Sequence, residues 1–199
     1  KASKSKNFFC LFHFGQCVWR KLQKLGLSGE FRKNTEFRFF VKYLTSLAFV
    51  PPEFVEVEYK KILAKSSDFP DLYLDNLFKY YEKNFLTGKK YPISSWNAYE
   101  RVLNDIPLTS NSAEVFNRHF QHKFDQCHPG LSTFFDKLKV NQSNVENDIE
   151  CKMANLSNNS ISSYRKNLES IKDVCNNYAS YYDLTYLQLI EKLYSWKFD

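Results

Sequence analysis

Asn7-Phe8-Phe9-Cys10-Leu11-Phe12-His13-Phe14-Gly15-Gln16-Cys17-Val18-Trp19-Arg20-Lys21 is the stretch on which the reading of this chain turns. From Asn7 to Phe12 it is aromatic and apolar, the character of a short strand. Beyond His13 the period changes. Phe14, Val18, Leu22 and Leu25 recur at helical spacing, Arg20, Lys21 and Lys24 lie elsewhere on the wheel, and Gly26 supplies a stop. The Cys-x-x-His formed by Cys10 and His13 falls at this strand-to-helix junction, where open α/β folds place active-site side chains.

Working outward, the helical period continues. Phe37, Phe40, Val41, Leu44 and Leu47 stripe a helix over residues 35–49, broken by Pro51-Pro52, and a third helix follows to Lys65. Pro70 opens a fourth, with Leu74, Leu77, Phe78 and Tyr81 in register, ending near Gly88. A short helix covers 96–103, and further helices are predicted over 112–126, 131–154, 164–178 and 184–196, with an Asn/Ser-rich loop at 155–163. The fold class is therefore mainly α: a helical bundle with one short N-terminal strand. A lone strand leaves its backbone groups unpaired, so its sheet neighbours are expected outside this chain and its edge is expected to fray or self-associate.

Composition agrees with a helical core. The 199 residues are 43% hydrophobic and 18% aromatic, with 19 Phe and 13 Tyr against only 5 Gly and 6 Pro. Charge is uneven. Residues 1–65 carry 13 Lys/Arg and 5 Asp/Glu, a net +8, whereas residues 66–199 carry a net −2. A basic N-terminal third suits a polyanion, and equally a solvated helical surface. Five scattered cysteines do not form a disulfide framework and point to a reducing compartment. No apolar run approaches the ~18 residues of a membrane span, so no membrane partner is expected. A chain opening on Lys rather than Met is expected to be part of something longer.

Several blocks recur in the order found in Mutator-like element (MULE) transposases. Cys10 to Gln16 with Trp19-Arg20-Lys21 resembles that family's C-x-x-H block, and Leu47-Ala48-Phe49-Val50-Pro51-Pro52 its next helix and Pro-Pro break. Trp96-Asn97 precedes Thr109-Ser110-Asn111-Ser112-Ala113-Glu114, which resembles the T-x-N-x-x-E block. His128-Pro129 with an aromatic helix, and a terminal Tyr186-Leu187 helix, complete the set.

The resemblance implies an RNase H-like domain interrupted by a helical insertion. Residues 1–12 would be a remnant strand of that core, 13–106 the insertion, 107–155 core helices including Glu114, and 156–199 a C-terminal extension. It implies a catalytic triad of two Asp and one Glu, with Glu114 as the third carboxylate and Cys10 and His13 flanking the active site. The intact enzyme would use Mg²⁺ or Mn²⁺ for transposon DNA cleavage and strand transfer in the nucleus. Two-metal phosphoryl transfer needs several carboxylates. Only nine residues precede Cys10 and none is Asp or Glu, so no cofactor and no catalysis are expected of this chain alone. If another carboxylate completed the site, Asp105 and Asp125 would be the first candidates.

The residues also admit other readings. Asn111 can cap a helix with Glu114 closing a capping box, and Glu114 and Arg118 are spaced for an i, i+4 ion pair. On that helix Ala113, Phe116, Phe120, Phe124 and Cys127 share the core face. Cys10 can be a small buried hydrophobe, or with His13, Cys127 and His128 a zinc set, although adjacent residues pair poorly as ligands. Trp19, Trp96 and the aromatics of residues 78–99 can stack on unpaired bases, although aromatics at helical spacing more often fill the core. DNA is the expected partner, through Arg20, Lys21 and Lys24. A non-enzymatic helical module binding DNA or protein is the main rival, and an unrelated structural helical protein the third reading.

Overall fold

The computed structural model describes residues 8–70, 72, 74–88, 90–124, 128–154, 163–181 and 185–194. Its ordered elements are helical, and no strand occurs among the described residues. Two compact units divide the chain: residues 1–109 with 163–199, and residues 110–162.

The expected N-terminal strand is not formed. Phe8 to Cys10 is irregular and extended, and helix α1 (Leu11–Lys24) begins directly after it. The backbone groups that a sheet neighbour would have taken are satisfied by loops instead. Phe9 N–H donates to the Ser95 carbonyl (2.7 Å) and Leu11 N–H to the Leu108 carbonyl (2.9 Å). The buried Arg101 guanidinium donates to the carbonyls of Phe9 and Pro107. These loop contacts stand where a sheet neighbour was expected.

In α1, Leu11, Phe14, Val18, Trp19 and Leu22 are buried, so one face of the helix is core. Its end follows from Gly26, whose φ of 74° is left-handed. Gly26 N–H reaches the Gln23 carbonyl and Leu27 N–H the Leu22 carbonyl (3.0 and 3.1 Å), a Schellman closure. Helix α2 (Ser28–Lys33) leads to α3 (Thr35–Ser46), capped by the Asn34 side chain accepting from Phe37 N–H at 3.0 Å. The predicted stripe of α3 is buried throughout.

The stretch Leu47–Pro52 is the hub of the first unit. A 3₁₀ turn at Leu47–Phe49 and the two prolines stop α3 inside the core, which leaves carbonyls without helical partners. Each finds a donor from a distant segment. Ala98 N–H takes the Ala48 carbonyl (2.6 Å), Asn97 Nδ2 the Val50 carbonyl (2.8 Å) and Tyr186 Oη the Phe49 carbonyl (2.5 Å). One turn earlier, Tyr81 Oη donates to the Leu44 carbonyl (2.8 Å).

Helix α4 (Val55–Ala64) presents the buried Glu58, held by Lys61 at 2.8 Å and by the Tyr178 hydroxyl at 3.2 Å. Helix α5 (Asp75–Tyr81) is shorter than predicted, starting five residues beyond Pro70. It runs into a wide π turn at Glu82–Leu86, closed by Thr87 N–H on the Glu82 carbonyl. Gly88 follows by necessity: a Cβ there would sit 2.3 Å from the Lys83 carbonyl oxygen. The helix predicted over 96–103 is two, α6 (Ile93–Trp96) and α7 (Tyr99–Leu103), separated by the buried Asn97.

Trp96 is fully buried, stacked on Phe14 (4.8 Å, 3°) and bonded through Nε1 to the Phe85 carbonyl. Trp19 is buried against Phe31. Both tryptophans are core residues, so base stacking is not available to them.

Of the later helices, α8 (Asn111–Gln121) and α9 (Leu131–Met153) belong to the second unit, whereas α10 (Ser163–Asn176) and α11 (Thr185–Leu193) pack within the first. α11 lies on α3, fixed by Lys42 Nζ to the buried Glu191 carboxylate (2.5 Å), and α10 lies against α7. The predicted last-helix limits at Leu184 and Trp196 lie outside the described residues.

The second unit is built differently. Phe120, Phe124 and Phe134 cluster with centroids 5.2–6.1 Å apart, and Lys123 Nζ meets Asn141 Oδ1 at 2.5 Å. None of its described residues is buried, and Phe116 of the expected core face is 45% exposed. Cys127, assigned to that face, lies outside the described residues.

Candidate nucleic-acid interface and the Glu114 position

Helix α1 contains no carboxylate. Arg20 and Lys24 are exposed and Lys21 is half-buried, its Nζ 5.6 Å from the centre of the Tyr80 ring. Among the described residues no Asp or Glu lies within ion-pair distance of the three. Lys21 and Lys24 also occupy the last turn, where a cation is stabilised by the helix's carbonyl end by ~0.3–1 kcal/mol. That accounts for two of the charges locally and leaves Arg20 without such a role.

Around Arg20 the surface is built from three segments. The Tyr80 hydroxyl points at the Cys17 carbonyl (3.5 Å), and Phe85 links Tyr80 to Tyr91 through ring contacts of 5.9 Å on either side. Lys90 lies 5.2 Å over the Tyr91 ring. Burial raises the Cys17 thiol above its ordinary value, and the positive charges of Arg20 and Lys90 pull it part of the way back. Burial, then Cys17 and Tyr91, push Tyr80 up to about 12. Nothing in the periodicity of α1 signals Tyr80 or Lys90, because both arrive from distant segments of the chain.

Cys10 is the residue before α1. Its backbone is extended (ψ 123°), its side chain makes no capping bond, and it is half-buried. His13 is exposed, edge-on to Phe12 at 5.4 Å. Among the described residues no three His, Cys, Asp or Glu gather as a metal-holding group. His128 is exposed in the second unit, and Cys127 lies outside the described residues. The described cysteines Cys10, Cys17, Cys151 and Cys175 are in no disulfide.

Glu114 is exposed in the first turn of α8. The capping box expected of it does not form: the cap position is Ser110 rather than Asn111, and the cap side chain makes no capping bond. Instead the Ser110 hydroxyl donates to Glu114 Oε1 at 2.5 Å. The i, i+4 ion pair with Arg118 is also absent from the described contacts. Among the described residues Asp105 joins no group of metal-holding side chains. It closes α7 in a left-handed conformation (φ 54°) and pairs with Lys172 at 2.6 Å. Asp125 lies outside the described residues.

Among the described residues no helix is long and apolar enough to cross a membrane. Compared with protein-family models, with curated proteins and with solved structures, the chain matches none.

Proposed function

We propose that this chain is the helical-insertion and C-terminal part of a transposase of the Mutator-like type, and that what it does by itself is bind DNA through the basic face of α1. The observation that carries the binding is the unopposed charge of that face: Arg20, Lys21 and Lys24 with no carboxylate of the described residues in ion-pair reach. Backbone phosphates are the partner for which such a face is suited, through counterion release rather than base reading.

In the intact enzyme Glu114 would be one of three carboxylates holding Mg²⁺ or Mn²⁺, which would supply activation of the attacking oxygen and stabilisation of the leaving one. An exposed Glu relieved of capping duty fits a metal-holding role in kind. A single carboxylate does not make a two-metal site. The work would take place in the nucleus, on transposon ends.

The test combines binding and cleavage on the purified chain. The triple change Arg20→Ala, Lys21→Ala, Lys24→Ala weakens binding to all duplex sequences alike, and neither protein nicks DNA with Mg²⁺ or Mn²⁺. Undiminished binding by the triple variant defeats the DNA face. Metal-dependent nicking that disappears in Glu114→Gln defeats the claim that the chain is catalytically incomplete.

A further inference from the structure

The basic face does not end at the edge of α1. Lys21 lies over Tyr80 from α5, the Tyr80 hydroxyl faces the Cys17 carbonyl, and the ring series continues through Phe85 to Tyr91 beneath Lys90. A cation thus sits at each end of the series, Lys21 on the half-buried Tyr80 and Lys90 on the half-buried Tyr91, with the buried Phe85 joining the two rings. The rings hold the long side chains by their faces, which lowers the entropy lost when an ammonium is fixed on an anion. Glu82, the nearest carboxylate along the chain to Tyr80, is turned to the other side, where its Oε1 accepts from Tyr59 at 3.2 Å.

We propose that Lys90, with Tyr91 as its supporting ring, forms a second bank of the DNA contact and takes a backbone phosphate beside those held by Arg20 and Lys21. This rests on the DNA-binding reading above and extends it from one helix to two segments. Cys17 lies between the banks, so a duplex seated there covers its thiol.

Two measurements on the 199-residue chain test this, with a short duplex as probe. First, in titrations at several salt concentrations, Lys90→Ala flattens the log–log slope by about 0.9, the loss of one phosphate contact. Second, duplex slows alkylation of Cys17, read by peptide mass, and leaves the exposed Cys151 at its original rate. Inorganic phosphate at the same phosphate concentration gives neither effect; protection by phosphate alone would mean a small-anion site and overturn the proposal.

If Lys90→Ala keeps the parent slope and Cys17 stays unprotected while the α1 triple variant loses binding, the second bank is wrong and the α1 reading stands. If the parent itself does not bind at low salt, both fail. Lys90 is exposed, so its loss leaves folding intact, and an unchanged unfolding midpoint verifies that.

Discussion

Tyr186 Oη donates to the carbonyl oxygen of Phe49 at 2.5 Å, joining residues 137 positions apart. The same hydroxyl lies 3.2 Å from Cys175 Sγ, and both side chains are buried. The bond makes α11 part of the core formed by the first hundred residues, at the point where α3 has been forced to stop.

Tyr186→Phe removes that donor, while the weak Cys175 thiol stays 3.8 Å from the Phe49 carbonyl. The expected loss is about 1–3 kcal/mol in urea unfolding. Tyr181→Phe, at a half-buried hydroxyl that bonds no core carbonyl among the described contacts, serves as the control and changes stability by less than about 0.5 kcal/mol. Equal effects would mean that the hub carbonyls do not depend on distant donors.

Stability falls as pH rises beyond about 9. Cys175 is pushed from 9.0 up to about 11 by burial and Tyr80 from 10.0 to about 12, while Tyr59, Tyr81, Tyr178 and Tyr186 are all raised by burial first. The folded state therefore holds protons that the unfolded state has already released. The contribution is complete below the unfolded values and is lost as pH climbs through the folded ones. Thermal unfolding scans between pH 7 and 11 should show a steady decline; a flat profile would contradict the burial of these groups.

Hydrogen exchange should divide the chain. In α8 and α9 no described residue is buried, whereas the apolar faces of α3 and α11 are. Amides of α8 and α9 are expected to exchange at least about tenfold faster than those of α3, after correction for intrinsic rates. Equal protection would show that α8 and α9 are covered in solution.

Glu114→Ala separates structure from function at that position. A reciprocal capping box would make the change cost about 1 kcal/mol. With Glu114 exposed and bonded only to the Ser110 hydroxyl among the described contacts, the expected change is under about 0.5 kcal/mol, read from the denaturation midpoint.

The sequence was legible where the period was strong and local. The stripes of α1 and α3 and the Gly26 stop follow from spacing alone, because a single helix face must be buried and a left-handed residue must be cheap. What it hid was long-range. Phe8 to Leu11 has strand-like side chains, but Ser95, Leu108 and Arg101 supply partners for its backbone, and none of them is adjacent in sequence. Asn97 looks like any polar residue until its amide is found on Val50. At the candidate interface the cations of α1 were readable as a charge imbalance. Tyr80 was readable only as one of the aromatics of 78–99 and Lys90 not at all, since only the fold brings α5 and the following loop to Cys17.

The salt dependence of DNA binding by the unmodified chain tests the central claim most directly. Affinity for a short duplex, measured by anisotropy across a salt series, should fall with a log–log slope of about −0.9 per phosphate neutralised. The parent slope should be steeper than that of the Arg20, Lys21 and Lys24 triple-alanine chain by about 2 to 3, and independent of duplex sequence. A slope near zero, or one identical in the two proteins, would mean that the cations of α1 are only a solvated surface.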